Sequence, residues 1–243
     1  AAYFWRAQKS TGKIMSTPET EVPALPSSAK LISSLGLVAM ISGLLVVLVY
    51  EFTKPIIAEN QRLATERAIF KILPQAITRL TFSVQGQDLV LADDKSTGEL
   101  IYAAYDKNKQ LVGVALNAAA QGYQDTVKLL YAFEPSTGCI KGFDVLKSTE
   151  TPGFGTKITS DAGFLANFDC LSASVNAMQS GLAHKINTVR FGTKQHSWEI
   201  DAISGSTITS NAVGRMLNQS AQALHPVVMK NLPLLEQAQH THN

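Results

Sequence analysis

Five hydroxyls crowd into one short run of this 243-residue chain. In DAISGSTITS, Asp201 to Ser210, they are Ser204, Ser206, Thr207, Thr209 and Ser210. The run comes off a strand-like approach ending at Gly205, and an amphipathic helix is expected over Ser210–Leu224. Hydroxyls just ahead of a helix start sit among free backbone N–H groups and the positive end of the helix dipole, a place that favours an anion and a phosphate above all. Helix capping is the plainer use of such residues, but one cap needs one hydroxyl. The second run with chemical potential is STETPGFGTKI, Ser148–Ile158. Pro152-Gly153 is a turn pair, Gly155 allows backbone to approach a ligand, and Glu150, Thr151 and Lys157 supply an acceptor, a hydroxyl and a cation. Read alone, it is a surface loop. It lacks the third glycine of a dinucleotide fingerprint.

Other chemistries find less support. Cys139 and Cys170 match no zinc or iron–sulfur spacing. They read as two small buried residues, with a single bridge open to them if the domain faces an oxidising compartment. His184 and His196 precede the hydroxyl run, yet no Gly-x-Ser-x-Gly elbow is present and no His–acid pair is readable, so a hydrolytic serine is a weak rival. His240 and His242 fall in a polar C-terminal stretch. Of 21 basic and 19 acidic residues, four and two lie at or before Lys30, leaving 17 of each from residue 51 on. That balance carries no footprint for nucleic acid.

The elements that must position these runs follow from the pattern. Leu31–Tyr50 is uncharged and apolar, and at about 1.5 Å per residue it is long enough for the roughly 30 Å hydrocarbon core. A single transmembrane helix is expected there, after an extended, Pro-containing tail at 1–30. A helix over Lys54–Leu73 should continue from it as a stalk (51–75), ended by Pro74. Strands are expected at Arg79–Val84, Leu89–Leu91, Glu99–Tyr105, Leu111–Ala118, Thr126–Phe133 and Cys139–Lys147, with shorter ones at Thr188–Arg190 and Glu199–Ile200. Ser160–Ser172 reads as helical. Strands in a run with helices at both ends give an α+β fold: an antiparallel sheet with flanking helices in a domain of 76–226, then a tail over 227–243. Lys13 and Lys30 before the span, against Lys54, Arg62, Arg67 and Lys71 after it, do not put this domain outside by the positive-inside rule.

Taken together, the two runs bring a resemblance. Asp201-Ala-Ile-Ser-Gly-Ser-Thr207 resembles the flavinylation motif of the FMN-binding domain family, usually Asp-x-x-Ser-Gly-Ala-Thr. Glu150-Thr-Pro-Gly-Phe-Gly155 resembles that family's Glu-Thr-Pro-Gly-Leu-Gly loop. Gly122-Tyr123 ahead of Val127–Leu130 fits, as does the apolar helix followed by Thr53-Lys54-Pro55 and Glu59-Asn60. From about Leu31 to Leu224 the chain is similar to the G subunits of Rnf electron-transport complexes, with the C subunits of sodium-pumping NADH:quinone reductases as near neighbours.

The resemblance implies that a flavin transferase using FAD and magnesium joins FMN covalently, by a phosphoester, to Thr207. Ser204, Gly205 and Thr209 would lie by the linkage; Glu150, Thr151, Phe154, Gly155 and Lys157 would lie by the isoalloxazine. It implies an electron relay between other subunits of an ion-moving membrane complex, in contact with membrane lipid and with no turnover of its own. It also implies a single-pass protein of the bacterial cytoplasmic membrane, its FMN domain on the periplasmic side. Ser206, where the family usually has Ala, offers a competing hydroxyl, and Phe154 replaces Leu. The alternative is a membrane-anchored assembly or binding module carrying no flavin, its hydroxyl cluster serving only as a helix cap.

Overall fold

The computed structural model describes residues 27–92, 96, 98–150 and 155–241. Two compact units divide the chain, Ala1–Lys54 and Pro55–Asn243. One helix, α1 (Ser28–Ile72), supplies the described part of the first unit and opens the second. Span and stalk are therefore one helix, which runs on through Pro55. In the first unit its apolar side chains from Leu31 to Tyr50 are all exposed, a surface suited to lipid rather than water. Among the described residues this is the one helix long and apolar enough to cross a membrane.

The second unit is built on strands β1 (Thr78–Gln85), β2 (Asp88–Leu91), β3 (Leu100–Tyr105), β4 (Leu111–Gln121), β5 (Thr126–Glu134), β6 (Cys139–Lys147) and β7 (Leu171–Ser172). Among the described residues they form one sheet in the order β2-β1-β3-β4-β5-β6-β7, every neighbour antiparallel. Such a sheet alternates its side chains between two faces, and here both are covered. Ala104, Ala115 and Ala132 on one face are small enough for α1 to settle close with Ala68, Ile69 and Ile72. Tyr105, Leu116, Leu129, Tyr131 and Phe133 belong to the larger core on the other side, with α3 (Thr207–Lys230). That helix contributes Val213, Met216, Leu217, Ala221, Leu224 and Val228 at roughly helical spacing.

Three expectations change. The stretch Ser160–Ser172 is not one helix: after a 3₁₀ turn over Gly155–Thr159 it holds α2 (Ala162–Leu165), a second 3₁₀ turn over Ala166–Phe168 and β7. Asp161 caps α2 by accepting from Phe164 N at 2.8 Å. Asn167 Nδ2 donates to Phe164 O and to Asp201 O, competing with helix continuation. The chain then joins the β6 edge, where Cys170 is disulfide-bonded to Cys139 with Cα atoms 5.1 Å apart, so the two cysteines are a bridge rather than two free buried thiols. The two short strands, β8 (Asn187–Val189) and β9 (Glu199–Asp201), pair in parallel as a small separate sheet. Finally, the C-terminal tail, 227–243, is largely helical over its described residues, which reach 241. Helix α3 continues past Pro226, and α4 (Leu232–Thr241) follows. Burial of Val227, Val228 and Leu235 compensates the hydrogen bond that Pro226 cannot make, and Tyr105 Oη donates to Leu235 O at 2.6 Å. His240 lies within α4, and His242 lies outside the described residues.

Candidate functional site

Helix α3 begins at Thr207, three residues earlier than expected, and this sorts the five hydroxyls. Ser206 is the N-cap residue, 5 % exposed, and its side chain makes no capping hydrogen bond. Thr207, the first helical residue, is exposed. Ser210 is committed to structure: its hydroxyl donates to Ser206 O at 2.9 Å and accepts from Ile203 N at 3.1 Å, closing the turn in which Gly205 sits at φ 80°. Thr209, 3 % exposed, donates to Glu150 Oε2 at 2.9 Å. Ser204 is exposed beside the turn. Asp201 is turned away towards its own loop, where Oδ2 accepts from Gly192 N at 2.9 Å.

Glu150 is the hub. It is 5 % exposed, and a carboxylate that deep in protein needs hydrogen bonds to offset its lost hydration. Besides Thr209, it has Tyr123 N at 2.8 Å and Gln124 N at 3.1 Å, both donating to Oε1. One side chain therefore ties the tip of the β4–β5 hairpin to the first turn of α3. Two glycines make room for it. A Cβ on Gly155 would come within 2.5 Å of Glu150 Cβ, and one on Gly122 would collide with Oε1. Arg215 reinforces the join by donating from Nη2 to Gln121 O at 3.1 Å.

These segments enclose a cleft of about 450 Å³, lined by Tyr123, Glu150, Gly155, Ser206, Thr207 and Thr209 together with Gly205 and Ile208. That lies within the roughly 300–1,000 Å³ of ordinary small-molecule sites. The two runs singled out in the sequence thus meet at one place. Gly155, Glu150, Gly205, Thr207 and Thr209 line it; Ser204 and Lys157 do not. Thr151 and Phe154 lie outside the described residues. Tyr123 and Ile208 were not among the expected site residues. Tyr123 had a signal, the Gly122-Tyr123 pair at a hairpin tip, whereas Ile208 became legible only once the helix start was fixed.

A cleft with a helix N-terminus on its wall can hold an anion such as a phosphate. Residues 122–222 match the FMN-binding domain, and residues 33–72 match the N-terminal region of the Rnf G protein. Among curated relatives, the G subunit of the ion-translocating oxidoreductase complex of Methanosarcina acetivorans is 28% identical over 82% of this chain and 92% of its own length. Its counterpart from Pasteurella multocida is 29% identical over 78% and 90%. In fold, the chain is similar to NqrC of Shewanella oneidensis, with a TM-score of 0.50, 17% identity, and coverage of 68% of this chain and 87% of that one. The chain is therefore an FMN-binding-domain protein. More particularly, with both segments present in this order, it is similar over most of its length to the Rnf G proteins.

Proposed function

We propose that this chain is an electron-carrier subunit of an ion-translocating oxidoreductase complex, relaying electrons through FMN held covalently by a phosphoester on Thr207. The observation that carries the reading is the exposed Thr207 hydroxyl at the first position of α3, on the wall of the 450 Å³ cleft. There the first-turn N–H groups and the helix dipole suit a phosphodiester anion. Burial of Ser206 argues for Thr207 rather than its neighbour as the acceptor, since a transferase must reach the oxygen that it esterifies.

When bound, FMN supplies one- and two-electron redox chemistry that no side chain here possesses. The protein's part is to bind and orient. Thr207 would tether the phosphate next to the turn at Gly205 and Ser206, and Glu150 and Gly155 line the same cleft. Ser204, Thr209 and Lys157 act around it, and the motif assigns Thr151 and Phe154, which lie outside the described residues, to the ring. A tether keeps the carrier from being lost between redox cycles.

Partners are then neighbouring redox subunits, a flavin transferase during maturation, and lipid around Leu31–Tyr50. The topology we propose is a single span of the bacterial cytoplasmic membrane with the FMN domain on the periplasmic side. The Cys139–Cys170 bridge supports it independently of the charge pattern, because disulfides persist in oxidising compartments.

The test is intact mass with peptide mapping of protein purified from its native membrane. A gain of about 438 Da localised to Thr207, absent from Thr207→Val, is the expected result. An unmodified Thr207 in cells with an active flavin transferase would sink the covalent assignment.

A further inference from the structure

We propose that Tyr123 is the aromatic wall on which the tethered flavin ring stacks, and that Glu150 is the positioning residue that holds it there. The inference rests on the FMN reading above and adds to it the side of the cleft that the two sequence motifs do not contain.

Tyr123 is 66 % exposed, so its ring contributes little to the core, yet it lines the same cleft as Thr207. Its backbone is held by an unusual device. The β4–β5 loop spans only residues 122–125, closed by Gly122 N donating to Asp125 O at 2.9 Å. Hairpin loops of that length normally satisfy their remaining N–H groups with water. Here the N–H groups of Tyr123 and Gln124 donate inward to a buried carboxylate, which also accepts a hydrogen bond from the hydroxyl of Thr209, two residues beyond the proposed attachment point. A carboxylate drawn out of water to immobilise an exposed aromatic residue serves no packing purpose. It does fix the phenol relative to the first turn of α3. Gly122 and Gly155 both keep the space that this carboxylate occupies, so three positions are given over to one arrangement.

A planar tricyclic ring tethered at Thr207 needs an apolar or aromatic surface beside it, because its faces are hydrophobic. Among the described lining residues, Tyr123 is the aromatic one, and Ile208, 54 % exposed, is the large aliphatic one. Glu150 touches neither face in this scheme; it acts through Tyr123 and Thr209.

The experiment uses the full chain purified from its native membrane, loaded by its transferase, as wild type, Tyr123→Leu, Tyr123→Phe and Glu150→Gln. Intact mass is read first. Absence of the increment on wild-type Thr207 would overturn the FMN reading itself. With the increment present, flavin emission, its anisotropy and the midpoint potential are compared. A phenol stacked on the ring quenches its emission. Tyr123→Leu is therefore expected to raise emission several-fold and lower anisotropy, with Tyr123→Phe holding anisotropy at the wild-type level. Glu150→Gln can still accept both N–H bonds, so it should fold, yet it should shift emission and potential in the direction of Tyr123→Leu. Emission, anisotropy and potential all unchanged in Tyr123→Leu would overturn the proposal while leaving the tether intact. Loss of the increment in Tyr123→Leu with far-ultraviolet circular dichroism unchanged would overturn it too, since it would give Tyr123 a role in attachment rather than in holding the ring.

Discussion

The two ends of α3 each bury an ionisable side chain, and they do so to opposite purpose. At the N-terminal end, Thr209 meets the Glu150 carboxylate, whose other donors come from the hairpin tip beside the cleft. At the C-terminal end, His225 is fully buried, stacked on Phe133 with centroids 3.7 Å apart, its Nδ1 at 2.9 Å from Ala173 O and its Nε2 at 3.3 Å from Tyr131 Oη. Since Ala173 O can only accept, Nδ1 carries the proton and Nε2 accepts from the phenol. Burial depresses the His225 pKa from 6.5 to about 4, the bond to Ala173 O pulling weakly the other way, and burial raises the Tyr131 phenol. Where the partners of a buried polar group come from therefore tells what it is for. Partners drawn from loops around a cavity organise a site, and partners drawn from the interior fix the packing of the core.

Phe133→Ala attacks the interior end hardest. It removes a ring that is 1% exposed and the surface on which His225 stacks, and a loss of about 3–5 kcal/mol is expected. Urea unfolding followed by tryptophan fluorescence measures it. Flavin loading of the fraction that folds should be unaffected; a specific loading defect would break the division between the two ends.

Acid should act on the same end, slightly less strongly. The folded state binds the His225 proton only near pH 4, whereas the unfolded chain takes it up near 6.5. Stability is therefore complete above about pH 6.5, falls as pH drops towards 4, and levels off below, by roughly 3 kcal/mol for this group. Unfolding free energies measured across that window should show the fall, and His225→Leu should flatten it.

At the site end, Glu150→Gln should cost about 1 kcal/mol, because the two N–H bonds to one oxygen survive without the charge while the other acceptor becomes an NH2 that must donate to the Thr209 hydroxyl instead. The sharper contrast is that this small loss accompanies a change in the flavin's spectrum, which the larger Phe133 loss does not. Thermal melts and flavin emission on the same samples compare the two directly. Smallest is Lys230→Ala. Its exposed ion pair with Asp88, 3.2 Å, bridges the end of α3 to β2, and removal should change stability by no more than about 0.5 kcal/mol with flavin properties unmoved.

The fold was largely legible because sheet and helix write different periods into a chain. All six longer strands lie within a few residues of their expected bounds, as do β8 and β9. Failures came where side-chain chemistry or tertiary burial overrode local pattern. Asn167 bonds Phe164 O and the Asp201 backbone and interrupts a helix that Ser160–Ser172 otherwise suggests. Helix α3, expected to end at Leu224, runs on through Pro226 to Lys230, with Leu224, Val227 and Val228 buried in the core. The bridge between Cys139 and Cys170, 31 residues apart, depended on β7 returning to the β6 edge, which two residues of strand cannot announce.

By itself the sequence determined the apolar helix, the strand run and the two runs that meet at the cleft, because each is written in contiguous residues with a local physical cause. The tertiary structure alone decided which hydroxyls are committed and which residues, Ser204 and Thr207, are exposed. It joined Glu150 to Tyr123, Gln124 and Thr209 across 27, 26 and 59 residues. It also chose which buried polar groups serve the site and which the core. Those choices depend on where distant donors and acceptors end up once both faces of the sheet are covered, and no run of neighbouring residues encodes that distance.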